Sequence, residues 1–129
     1  MKGSMFTFAL LAWIGSSSAL AAEFSAADIC KATVAVEMGR NTKGMKSSSA
    51  SSSVQISYRR DDGNLYKYQC KIDDTSAVWR AFLSDTGTWG RWRNSYEMGD
   101  ARTSYSIANG VLSIENDQLG TKTFTKKDF

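Results

Sequence analysis

Residues 54–72 read VQISYRRDDGNLYKYQCKI: two runs of alternating apolar and polar positions around a turn-forming centre. Period-two alternation marks a half-buried strand, so the segment predicts a β-hairpin. Its register follows from the side chains. A two-residue turn at Asp62-Gly63 would set Val54, Ile56 and Tyr58 opposite Lys71, Gln69 and Lys67, mixing charge with apolar surface. A three-residue loop, Asp61-Asp62-Gly63, puts glycine at the left-handed position of a bulged turn. It sets Tyr58 opposite Tyr66, Ile56 opposite Tyr68 and Val54 opposite Cys70. One face is then wholly apolar, and a slip of one residue would destroy it.

The same alternation continues downstream. Residues 77–83 predict a third strand with Trp79, Ala81 and Leu83 inward and Arg80 outward. In SYSIANGVLSIEN, Asn109-Gly110 is a strong two-residue hairpin signal that pairs Ile107 with Leu112 and Tyr105 with Ile114. A last strand is expected over about 121–126.

Before the first hairpin the period changes. Ser25 with Asp28 three positions on reads as a helix start, and Gly39 suits the C-terminal cap. A short helix over about 26–38 carries Ile29, Cys30, Thr33, Val34 and Val36. Residues 47–53, SSSASSS, have no apolar period and read as part of a flexible serine-rich loop over 40–53. The expected fold class is α+β: an N-terminal helix packed on a curved, partly closed antiparallel meander of six or seven short strands over 54–126.

The beginning of the chain sets the expected compartment. Lys2, the apolar run FTFALLAWI and Ala19-Leu20-Ala21 form a secretory signal pattern, so residues 1–21 are expected to be cleaved. The run is shorter than the roughly 20 apolar residues a membrane-spanning helix needs. Residues 22–129 then form one globular domain, periplasmic or secreted. Two cysteines remain, Cys30 and Cys70, and an oxidising compartment favours one disulfide between them. Because Cys70 lies on the apolar face, the helix carrying Cys30 must approach from that side.

Composition narrows the chemistry. The 129-residue chain has no histidine, which excludes Ser-His-Asp and Cys-His catalysis and the common zinc sites. No phosphate-binding glycine loop is present. Asp61-Asp62 and Asp73-Asp74 could in principle serve acid–base work, but both fall in predicted turns, where aspartate is expected for backbone reasons. No cofactor, metal or catalytic residue is assigned. Without Lys2 the sixteen basic side chains become fifteen, against thirteen acidic ones, so only the distribution of charge is informative.

That distribution singles out DTGTWGRWRN, residues 85–94. If residues 90–94 are extended, alternation places Trp92 in the core with Trp79, and Arg91 with Arg93 outward. Trp89 shares the arginine side only if no bulge intervenes. Arg59, Lys67, Lys71 and Arg80 also take the outward phase. The candidate ligand-binding set is Trp89, Arg91, Arg93, Arg80 and Arg59, since aromatic rings beside guanidinium groups hold anionic ligands. The expected function is an exported, non-enzymatic binding protein for an anionic glycan, a lipid head group or an acidic protein surface. Export disfavours nucleic acid. An inhibitor or immunity-type protein that blocks an exported enzyme with a hairpin loop is the alternative, and a carboxylate-only hydrolase the most remote.

Overall fold

The computed structural model describes residues 24–50 and 53–129. The expected signal segment at 1–21 lies outside them. Helix α1 is Ala26–Met38. The strands are β1 Lys46–Ala50, β2 Ser53–Arg59, β3 Leu65–Ile72, β4 Ser76–Leu83, β5 Thr88–Trp89, β6 Thr103–Ala108, β7 Val111–Asn116 and β8 Gly120–Phe124. Among the described residues the class is α+β, one α-helix on an antiparallel sheet.

Local chemistry fixes the helix ends. The Ser25 hydroxyl accepts from the Asp28 amide, and the Asp28 carboxylate accepts from the Ser25 amide, a reciprocal cap at 3.1 Å each way. Gly39 leaves the helix at φ 65°, and the Arg40 amide reaches back to the Ala35 carbonyl at 2.8 Å. The helix lies on the sheet against β2, β3, β4 and β7. The disulfide joins Cys30 to Cys70 with their Cα atoms 5.7 Å apart. Val34, Ile56, Leu112 and Ile114 fill the space between helix and sheet and are fully buried.

The first hairpin has the register that the apolar face requires: Tyr58 opposite Tyr66, Ile56 opposite Tyr68, Val54 opposite Cys70. Gly63 sits at φ 85° in its loop. In the second hairpin Ile107 faces Leu112 and Tyr105 faces Ile114. There Asn109 and Gly110 both take positive φ, as a two-residue turn demands.

Five expectations are corrected. The serine-rich loop is not all loop, because Lys46–Ala50 is a strand paired to β2 from Lys46↔Ser57 to Ala50↔Ser53. Strand pairing satisfies main-chain groups on the edge of β2 and needs no apolar side chain, so a serine run can supply it. That addition and the two-residue β5 raise the count to eight strands among the described residues. The sheet runs β1-β2-β3-β4-β6-β7-β8 with β1 and β8 as its ends, so it is not closed. Leu83, expected inward, stands 37% exposed at the end of β4, outside the buried core. The final strand stops at Phe124, and a 3-10 turn over Lys126–Asp128 folds the tail back. Phe129 then packs on Phe24 and Phe124, and Lys126 pairs with the buried Asp28 at 2.8 Å.

One edge of β4 has two partners. Its C-terminal end pairs with β5, and its N-terminal end pairs with β6. The segment after β5 follows β4 between them, with the Gly90 amide donating to Ala81 and the Arg93 amide to Trp79, both at 2.8 Å. Among the described residues no helix is long and apolar enough to cross a membrane. This and the disulfide are compatible with the expected export.

Candidate functional site

The hydrogen bonds after β5 decide where the two tryptophans and two arginines go. Gly90 to Arg93 is three residue steps, whereas Ala81 to Trp79 on the facing strand is two. One residue is therefore extra, a bulge, and a bulge reverses the side-chain phase beyond it. Trp89 pairs with Phe82 on the side of the sheet away from the helix. After the bulge Trp92 joins Trp89 on that outer side. The expectation that Trp92 is buried in the core is corrected: it is half-buried on the outer face, with the Arg80 guanidinium 4.5 Å and the Lys71 ammonium 4.3 Å from its ring centre.

Arg93 moves to the other side and lies 5.6 Å from the ring centre of Trp79. The expectation that Arg91 and Arg93 offer a free outward pair is corrected with it, because both converge on Asp100. Arg91 donates to the two carboxylate oxygens at 2.6 and 3.0 Å, and Arg93 Nη1 stands 3.8 Å from one of them. The Ser95 amide adds a bond at 3.1 Å. The Arg91 fork, before the Ser95 amide, holds the Asp100 carboxyl below the usual carboxylate range. Asp100 is buried and carried no signal in the sequence. The Arg91–Asp100 pair fixes the irregular segment 91–100 and leaves Arg91 committed within the fold.

Arg80 has the opposite fate. It projects from β4 on the outer face, where Gln69 faces it on β3. The Gln69 side-chain oxygen accepts from Arg80 Nε at 2.9 Å and from Nη2 at 2.7 Å. The guanidinium lies between two rings, 5.3 Å from the centre of Trp89 and 4.5 Å from that of Trp92. Trp89 is braced edge-on by Phe82 at 5.4 Å. Lys67 lies over the Phe82 ring at 4.1 Å. Arg80, Lys67 and Lys71 thus share one ring-lined surface, and among the described residues no carboxylate forms an ion pair with any of them. Three cations are held close together by the electron-rich ring faces, which partly offset their mutual repulsion.

Of the predicted set, the fold brings together Trp89 and Arg80. Arg59 ends β2 on the same face, and its guanidinium donates to the Gly63 carbonyl at 2.9 Å, bracing the hairpin. Gln69, Phe82 and Trp92 belong to the site and were missed. Gln69 and Phe82 were readable from the outward phase of β3 and β4; Trp92 was hidden by the bulge. The aspartates at the doublets act in turns. Asp62 accepts from the Asn64 amide, while Asp73 accepts from Thr75 and Ser76. The bond from the Thr75 amide leads in keeping the Asp73 carboxyl low.

A separate groove of about 780 Å³ runs between the end of α1 and β8, lined by Glu37, Arg40, Leu119 and Lys122 among others. None of the predicted site residues lines it. Glu37 accepts from the Asn116 amide group at 2.8 Å, but burial pushes its carboxyl above the ordinary 4.5, with the negative charge of Asp100 adding to this. A carboxyl raised on folding binds protons more readily in the folded state, so ionising it costs stability. That cost is absent well below pH 4.5 and fully present once pH exceeds the raised value. Glu37→Gln keeps the acceptor for Asn116 and abolishes the titration. The variant should match or exceed wild-type stability at neutral pH, with any advantage fading below about pH 4. Urea unfolding midpoints across pH 3 to 8 check this, and a variant less stable at pH 7 would contradict it.

Comparison with protein-family models, with curated proteins and with solved structures returned no match.

Proposed function

We propose that this chain is an exported binding protein, without catalysis of its own, that takes an anionic ligand on the outer face of its sheet. One observation carries the reading: Arg80 is fixed between Trp89 and Trp92 by Gln69, and Lys67 and Lys71 flank it with no carboxylate partner among the described residues. A guanidinium already held in place loses little freedom on binding and presents a planar fork to carboxylate, sulfate or phosphate. A surface built only for solubility gains nothing from immobilising its arginine. Like charges gathered on one ring-lined patch raise the local potential, which draws anions to it.

The test separates the patch from net charge. The triple variant Lys67→Gln, Lys71→Gln and Arg80→Gln removes three charges from the face. The control Lys43→Gln, Lys122→Gln and Lys127→Gln removes three from exposed positions elsewhere. On a sulfated affinity resin at low ionic strength, the face variant should elute at distinctly lower salt than the control. Equal elution of the two would show that retention reflects net charge alone and would remove the proposal.

A further inference from the structure

We propose that the anion taken by this face is a linear acidic polysaccharide lying across the strands; the inference rests on the anion-binding reading above. The spacing of the cations comes first. Lys67 and Lys71 are four residues apart on β3, which separates their Cα atoms by about 13 Å. In the cross-strand direction Lys46 pairs with Ser57, and Ser57 with Lys67. Two strand spacings put the Cα atom of Lys46 about 10 Å from that of Lys67. A small discrete anion reaches only part of such a field, whereas a chain carrying anionic groups at intervals reaches all of it.

What lies between the cations selects the kind of chain. Residues paired directly across strands share a face. Ser48 pairs with Gln55, Gln55 with Gln69, and Gln69 with Arg80. The neighbouring row runs Lys46, Ser57, Lys67. Lys46 and Lys67 thus flank the Ser57 hydroxyl, and Arg80 lies in line with the Gln55 amide and the Ser48 hydroxyl, which suits a ligand that is anionic and also rich in hydroxyls. Nucleobases need open ring faces as platforms, but here Arg80 already lies over the Trp89 ring, and Arg80 and Lys71 lie over the Trp92 ring. A bilayer needs apolar side chains that protrude into it, whereas both tryptophans are half-buried. The disulfide further favours an oxidising compartment, outside the cytosol.

The experiment is calorimetric titration of the protein at fixed low salt with heparin-derived oligosaccharides from disaccharide to decasaccharide. Oligo-dT and vesicles of mixed phosphatidylglycerol and phosphatidylcholine run in parallel. Affinity should rise with oligosaccharide length by at least about tenfold and then level off, the size of one charged hydrogen bond gained. Oligo-dT should bind at least about tenfold more weakly than the longest oligosaccharide. The double variant Gln55→Ala with Ser57→Ala should lose several-fold affinity for oligosaccharide and none for oligo-dT. A disaccharide as tight as the decasaccharide would overturn the inference in favour of a discrete site. Tighter binding of oligo-dT or vesicles would overturn it while leaving the anion-binding reading intact. No binding to any of the three would remove both.

Discussion

Replacing Cys30 and Cys70 together by alanine should lower the melting temperature by roughly 15–30 °C. The disulfide closes a separation of 40 residues. On the chain-entropy model such a loop stabilises the folded state by about 4 kcal/mol, and each kcal/mol shifts the midpoint of a domain this size by about 4–8 °C. The bond also pins α1 to the C-terminal half of β3, and both cysteines are fully buried. Little competing stabilisation is available to a domain of this length. Scanning calorimetry of the double variant checks the expectation, and a midpoint within a few degrees of wild type would contradict it.

Truncating Trp79 to alanine should cost about 3–5 kcal/mol, as is typical of a buried tryptophan. The same change at Trp92 should cost about 1 kcal/mol. Trp79 is 8% exposed and meets the edge of Tyr68 at 5.9 Å in the core between helix and sheet. Trp92 is half-buried against Arg80 and Lys71, so its removal forfeits cation–ring contacts and leaves the core filled. Denaturant unfolding of the two variants separates the roles. Equal losses would mean that the bulge after Gly90 does not set the side-chain phase. Trp92→Ala should instead weaken anion binding, because Arg80 loses one of its two rings.

Where one face of a strand is buried, the sequence carries the register. The pairings of Tyr58 with Tyr66 and of Ile107 with Leu112 followed from apolar alternation and turn chemistry. So did the helix bounds, from Ser25, Asp28 and Gly39, and the side from which Cys30 reaches Cys70. Main-chain pairing is not written in side chains, and so β1 was invisible in a run of serines. A bulge adds one residue without any apolar or polar mark of its own. For that reason the phase of Trp92 and Arg93 came out reversed, while Arg80, on a regular strand, did not. Asp100 lies in irregular chain, and only the fold shows that it claims both arginines.

The most direct test of the account is an ¹H–¹⁵N spectrum of the labelled protein, followed at the indole N–H signals as a sulfated oligosaccharide is added. Trp89 and Trp92 flank Arg80 on the outer face, whereas Trp79 lies on the helix side. The account predicts saturable shifts of the Trp89 and Trp92 indoles and of the Arg80 Nε–H, with Trp79 unmoved. Shifts confined to the 60–64 loop or to the groove beside Glu37, with both outer indoles unchanged, would contradict it.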